Sequence, residues 1–224
     1  MELRNIRKLK TKFHLNRKGF SSVELMAAMV IASVVMAGIY SAYYTQQKNS
    51  LVQEQTAEMR QNLRAGLNLM VREIRMAGYD PTGTANAGIV SAGSNSIIFT
   101  NDLNGDGDTN DSNEYITYSL YTSSGKQNLG RKSTVTSSNQ PVAENIDALN
   151  FVYLDQNGSV TASLSDIRSV QITIVAKTGL KDPGYTDTNS YSNQQGTQIL
   201  APQNDNFRRR MLTMQVICRN LGLD

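Results

Sequence analysis

An α+β fold is what this sequence predicts: one long N-terminal helix, half transmembrane and half amphipathic, packed on a C-terminal antiparallel β-sheet domain. Three observations carry that expectation. Residues 25–44 run for 20 positions without a charge. An apolar stripe at helical spacing continues from there, and no proline occurs before Pro81. Beyond Tyr79 the texture changes to Gly, Asn, Ser and Thr, broken by short alternating apolar runs of the kind that form half-buried strands.

The first element is a basic tail. Of the 22 Lys and Arg in the 224-residue chain, seven lie in residues 1–19: Arg4, Arg7, Lys8, Lys10, Lys12, Arg17 and Lys18. Only one acid, Glu2, accompanies them, so the formal net charge of +3 hides a body of −3 over residues 20–224. The uncharged run that follows is long enough to cross roughly 30 Å of hydrocarbon. Its cationic flank precedes it, and the next Lys is Lys48. The positive-inside rule therefore expects the N-terminus in the cytoplasm and everything after residue 44 outside. Tyr40, Tyr43 and Tyr44 stand where an interfacial aromatic belt would stand.

The helix is expected to continue to residue 78. Val52, Met59, Leu63, Leu67, Met70, Ile74 and Ala77 fall on one face, and Gln53, Glu54, Gln61, Asn68 and Arg72 on the other, the pattern of a helix packed on one side. Gly78 offers a left-handed stop, Arg75 suits the negative helix end, and Asp80-Pro81 bars continuation. A helix over residues 20–77 would measure about 87 Å at 1.5 Å per residue.

Strands are expected at 96–101, 115–121, 128–135, 150–154, 168–178 and 210–219. In the fifth, Val170, Ile172, Ile174 and Ala176 alternate with Gln171, Thr173, Val175 and Lys177. In the last, Leu212, Met214, Val216 and Cys218 make the apolar face, so each should pack on one side only. Residues 181–206 are polar and aperiodic, and are expected to be a flexible loop. The organisation is thus a leader at 1–19, a spine helix at 20–78 with its membrane part at about 20–44, and a sheet domain at 79–224.

Composition limits the chemistry. The single histidine, His14, lies in the basic tail, and the body holds one Cys and no Trp. A Ser-His-Asp or Cys-His catalytic site and a His- or Cys-rich zinc site are excluded from the body, and no intrachain disulfide can form. No enzyme is expected. The basic charge sits in the tail, so it marks topology, and nucleic acid is not expected among the partners.

The residues at the head of the helix carry a resemblance. Arg17-Lys18-Gly19-Phe20-Ser21-Ser22-Val23-Glu24-Leu25, followed by an uncharged helix, resembles the type III signal of type IV prepilins. An ordinary secretory signal, with cleavage after Val35-Met36-Ala37, fits less well. The apolar run is long for one, and Glu24 places a costly carboxylate near its start. The resemblance implies a type IV pilin-like fold, cleavage by a prepilin peptidase between Gly19 and Phe20, methylation of the new N-terminus at Phe20, and a role for Glu24 in assembly. Ser22 departs from the aliphatic residue usual there. A carboxylate in lipid is stabilised by a cation that also lacks water, so Glu24 of one subunit can pair with the N-terminal amine of a neighbour.

The helix end is similar to that of PilW-type minor pilins, through Arg72, Arg75, Ala77, Gly78 and Tyr79, and the final Cys218-Arg219-Asn220 fits the same group. The resemblance implies a minor pilin held in the inner membrane before assembly, with its sheet domain in the periplasm, and then incorporated in the filament at its tip. The implied partners are prepilin peptidase, other minor pilins and the major pilin, the inner-membrane assembly platform, and lipid before assembly. Two alternatives stand beside it: a GspJ-like pseudopilin of a type II secretion system, and a membrane-anchored periplasmic binding or adhesive domain that never polymerises.

One further motif stands out. Asp102, Asn104, Asp106 and Asp108 alternate as in calcium loops, with Gly107 at a sharp turn and Glu114 beyond. An EF-hand would need its glutamate at position 113, where Asn113 stands, and its flanks would be helices. The run reads either as a calcium-binding strand connection or as a solvated loop of mutually repelling acids. Cys218 is expected to be a buried, inert thiol. Arg208-Arg209-Arg210 is expected to be a solvated strand start or subunit contact, since no aromatics interleave it for base stacking.

Overall fold

A computed structural model describes residues 19–222; the tail that carries the basic cluster and His14 lies outside the described residues up to Lys18. The chain divides into two compact units, Met1–Asn49 and Ser50–Asp224. Helix α1, Ser22–Met76, contributes to both.

In the first unit every described residue is exposed. Two of the α1 hydroxyls there bond back to their own helix. Ser33 Oγ donates to the Val30 carbonyl at 2.7 Å and Thr45 Oγ1 to the Ser41 carbonyl at 2.9 Å. These two side chains therefore satisfy their donors within the helix, which matters if the surroundings are apolar.

In the second unit the predicted stripe is the buried face of α1. Met59, Leu63, Leu67, Met70 and Ile74 are buried, with Ala77 just past the helix end, while Gln53, Glu54, Gln61, Asn68 and Arg72 are exposed. Gly66 lies on the same face, where an added Cβ would come within 2.9 Å of Ala143 Cβ. The stop is as expected. Gly78 takes φ +80° and its N–H donates to the Thr100 carbonyl at 3.0 Å. Arg219 N–H and Asn220 Nδ2 donate to the Arg75 and Met76 carbonyls, so the chain's last turn serves the open end of the helix.

A five-stranded antiparallel meander follows: β1 (Ile89–Ala92), β2 (Ser96–Thr100), β3 (Tyr115–Ser123), β4 (Lys126–Lys132) and β5 (Gln140–Ala143). The second sheet holds β6 (Ile146–Leu154), β7 (Ser169–Lys177) and β10 (Arg209–Ile217), in the order β10-β7-β6. Between β7 and β10 lies a small hairpin of β8 (Tyr191–Ser192) and β9 (Gln198–Leu200). Both larger sheets share one core with the α1 stripe, including Phe99, Tyr118, Leu129, Phe151, Ile172 and Val216.

Four strands escaped the periodicity, each for a physical reason. β1 and β5 are four-residue edge strands, and Pro141 in β5 is tolerated only because the edge needs no donor there. β8 and β9 are too short to show a period. The start of β6, expected at residue 150, is at Ile146, because a bulge around Asp147 breaks the alternation. β4 begins two residues earlier than expected because Ser124 (φ 50°) and Gly125 (φ 75°) make a tight two-residue hairpin that holds the pairing to Ser123↔Lys126.

The segment 181–206 differs most from the sequence expectation. It is not aperiodic but a zipped extension of the β7–β10 hairpin. Asp182 N–H donates to the Asn206 carbonyl at 2.8 Å and Asp187 N–H to the Asp205 carbonyl at 2.8 Å. Its β9 lies against β6, and Asn193 Nδ2 donates to Asn150 Oδ1 at 2.9 Å. The second face of β7 is covered as well as the first, so Thr173 and Val175 are buried alongside Ile172 and Ile174. The apolar face of β10 thins toward the outer edge of the sheet, where Met214 is 38% exposed and Leu212 half-buried.

Candidate functional site

Gly19 and Phe20 precede the helix, and Phe20 is 90% exposed. Ser21 is the N-cap of α1. Its Oγ accepts the Val23 N–H at 3.3 Å, and its own N–H donates to Glu24 Oε2 at 2.9 Å. These reciprocal bonds form a capping box, in which two otherwise unpaired donors are satisfied. The S-x-x-E spacing was legible in the sequence, yet the role expected for Glu24 rested on the prepilin resemblance and its charge, not on capping. The cap holds the carboxylate in one orientation against the helix start. Oε1 is left for another donor, with no partner among the described residues.

Behind this head, α1 holds a stretch long and apolar enough to cross a membrane, of which no part is buried. Val23, Met26, Ile31, Val34 and Tyr40 are all more than 60% exposed. Apolar side chains project all round the segment, so in water it would be unstable. It needs lipid or other apolar helices for surroundings.

The acidic loop between β2 and β3 brings together part of the predicted calcium set. Carboxylate oxygens of Asp106, Asp108 and Glu114 lie within 4.8 Å of one another. Asp102 and Asn104 are used differently. Asp102 is fully buried and knots the loop, accepting the Gly105 N–H at 2.6 Å and the Gly107 N–H at 3.1 Å. Asn104 braces it from outside, with Nδ2 donating to Asp106 and Asp111 and Oδ1 accepting the Asp106 N–H. Gly105 and Gly107 take φ +78° and +89°, which is what lets the chain wrap Asp102. Glu114 is 1% exposed; its Oε1 accepts the Leu103 N–H at 2.8 Å, and its Oε2 is buried without a partner among the described residues.

The helix end is locked to the sheet by a polar group that the sequence did not reveal. Glu73 Oε2 accepts the Tyr118 hydroxyl at 2.5 Å and Arg131 Nε at 2.8 Å, and Arg131 Nη2 reaches Asn113 Oδ1 at 3.0 Å. Burial first, and the neighbouring Glu73 charge second, push the Tyr118 phenol far above its ordinary value.

The arginine run is likewise corrected. Arg210 is exposed, but Arg208 binds Asp182 through Nη2 at 2.8 Å and stacks over Tyr185 at 4.4 Å. Arg209 is buried rather than solvated, with its side chain 1% exposed. It meets Asp147 at 2.6 Å, Asp205 at 2.6 Å and the fully buried Asp187 at 3.1 Å, while Lys177 meets Asp147 at 2.7 Å. Burial works against ionising Asp187. Bonds from Asn189, Tyr191 and Arg209 outweigh it and hold the carboxyl below the ordinary carboxylate range. The Arg209 hydrogen bonds hold Asp205 low as well. The run is therefore the anchor of the 181–206 segment. Cys218 is buried, and burial pushes its thiol up to about 12.

Two family models match the chain. One, described as prepilin peptidase-dependent protein B, matches residues 52–195. The other, described as the prokaryotic N-terminal methylation motif, matches residues 14–40, which contain Gly19, Phe20 and Glu24. No curated protein matches the chain. Among solved structures, the type IV-like pilin TTHA1219 from Thermus thermophilus aligns at 15% identity and a TM-score of 0.48, over 72% of this chain and 97% of that one.

Proposed function

The chain belongs to the prepilin peptidase-dependent protein B family and carries the N-terminal methylation motif of type IV pilins, and from that premise we propose that it is a minor pilin that primes a type IV pilus, at the filament tip in the PilW manner. Prepilin peptidase cuts between Gly19 and Phe20 and methylates Phe20. The subunit then waits in the inner membrane, its N-terminus cytoplasmic and its sheet domain periplasmic. At the assembly platform it leaves lipid to join other minor pilins and the major pilin. Its role is structural and not catalytic.

The observation that carries this reading is the head of α1: an apolar segment exposed all round, with one carboxylate, Glu24, near its start. Leaving lipid for a bundle of like helices keeps those side chains in apolar surroundings. Glu24 supplies direction. A carboxylate in a membrane helix costs up to about 3 kcal/mol at the centre, and a neighbour's N-terminal amine relieves that cost for both groups. The capping box makes the exchange cheap. Oε2 keeps its bond to the Ser21 N–H, worth about 1 kcal/mol, while Oε1 accepts the amine, so the carboxylate need not be freed first.

The test uses Glu24→Ala and Glu24→Gln in cells, with mass spectrometry of the mature N-terminus and immunoblotting of sheared filaments. Both variants should begin at methylated Phe20 and be missing from filaments. Gln retains an oxygen for the Ser21 cap but no charge, so incorporation of that variant alone would show that the cap and not the ion pair matters. A mature chain starting at Gly38, or one with an intact leader, would reject the pilin reading itself.

A further inference from the structure

The acidic loop has a role that pilus assembly does not explain. We propose that Asp106, Asp108 and Glu114 form a calcium-binding site. Three observations converge on it. First, Asp106-Gly107-Asp108 sets two hard oxygen ligands on either side of a tight turn, within an alternating acidic run of the kind calcium loops use. Second, the fold carries Glu114, at the far end of the loop, back beside that turn, so that the three carboxylates lie within 4.8 Å of one another. Third, Glu114 is 1% exposed, and its Oε2 is buried without a hydrogen-bond partner among the described residues. Buried polar atoms are nearly always partnered. An orphan carboxylate oxygen beside two further carboxylates is unexplained by protein contacts and explained by a cation.

Asp102 and Asn104 lie outside the converging trio, which defines the site more narrowly than the motif did. Both oxygens of Asp102 accept backbone N–H groups, of Gly105 and Gly107. Asn104 braces Asp106 and Asp111 through its amide. These two residues shape the loop, and the trio faces the ion. Asp106 and Asp108 are exposed, so one side of the site is open to solvent and water can complete the coordination. A flexible oxygen site with several carboxylates and free water positions suits calcium better than magnesium, which demands a near-ideal octahedron and dehydrates reluctantly.

The ion would brace the junction between sheet and helix end. Asp102 N–H donates to the Tyr79 carbonyl at 2.7 Å, and Asn113, next to Glu114, accepts from Arg131, which holds Glu73 on α1. Binding calcium removes the repulsion among the three carboxylates and ties the two ends of the loop together. The proposal is independent of the pilin reading and can fail or hold without it.

The experiment is a calcium titration of the full chain in detergent micelles by isothermal titration calorimetry, with thermal unfolding followed in parallel. The expected result is saturable binding of one equivalent and a raised unfolding midpoint in calcium. Affinity depends on ligand charge count, so Asp108→Asn, at an exposed position that leaves the fold intact, should bind about tenfold more weakly or worse. Glu114→Gln, which keeps one oxygen for the Leu103 N–H, should also weaken it. Asp155→Asn, an acid in a different turn, should bind like the parent chain. Absence of saturable binding to the parent, unchanged affinity in Asp108→Asn, or magnesium binding as tightly as calcium would each overturn the assignment.

Discussion

Replacing Arg209 by Met tests what holds the 181–206 segment onto the sheet. The Arg209 side chain is 1% exposed and Asp187 is fully buried, so the substitution leaves Asp187 with its bonds from Asn189 and Tyr191 but with no countercharge and no water. Breaking such a pair costs about 3–5 kcal/mol. Of the other two carboxylates, Asp147 keeps Lys177, and Asp205 is 31% exposed and can be solvated, so the lower figure is expected. Arg208→Met is the control. Its ion pair is 37% exposed on the arginine side, worth about 1 kcal/mol or less, with roughly 0.5–1 kcal/mol more from its stacking on Tyr185. A loss of about 3 kcal/mol lowers the unfolding midpoint by roughly 6–12 °C in a domain of this size. Near-ultraviolet circular dichroism of the full chain in detergent would read it, since the signal comes from ten Tyr and no Trp. The pH dependence adds a second arm. In the parent, Asp187 and Asp205 are held below the ordinary carboxylate range, so their contribution is complete above about pH 4 and is lost as pH falls through the depressed values. In Arg209→Met the orphaned Asp187 titrates higher, so the variant's deficit should shrink between about pH 7 and pH 4. A loss no larger than that of Arg208→Met, or a deficit constant over this range, would refute the reasoning.

Three smaller predictions follow from other contacts. Gly78→Ala places a Cβ at φ +80° against Leu221 Cδ2 and should cost about 1–3 kcal/mol of thermal stability; a neutral effect would mean that the helix stop is not a left-handed cap. Tyr118→Phe removes the hydroxyl on Glu73 but leaves Arg131 in place, so chemical denaturation should register a loss of about 1–2 kcal/mol, and no loss would mean the lock is idle. Cys218, buried with its thiol pushed up to about 12, should alkylate slowly at about pH 8 in the native chain and rapidly in denaturant; equal rates would contradict its burial.

Much of the fold was legible before the structure. The buried face of α1, its stop at Gly78 and the six principal strands follow from periodicity and turn chemistry, which act over a few residues. The candidate sites were only half legible. The S-x-x-E cap at Ser21 and Glu24 is encoded in the sequence, but the same glutamate also reads as an intramembrane charge, and spacing alone does not show that it serves both roles. The acidic loop drew notice for its spacing, but spacing assigned the ligand role to Asp102 and Asn104 as much as to Asp106 and Asp108. Which side chains knot the loop and which face outward depends on how Gly105 and Gly107 turn. The arginine run differs from its expected solvated state because Asp147 and Asp187, which bury Arg209, are distant in sequence.

What the sequence determined by itself is the chain's local grammar. It set the apolar helix, the single carboxylate near the helix start, the acidic turn and the alternation of the long strands. Each of these is encoded by neighbours within a few positions, where backbone geometry alone decides which side chains share a face. What only the tertiary structure decided is every pairing across distance. Arg209 meets Asp147 from 62 residues away, Tyr118 meets Glu73 from 45, and the buried Glu114 carboxylate comes beside those of Asp106 and Asp108. The reason is physical. A charge is solvated by default, and it becomes a buried partner only when packing elsewhere removes its water.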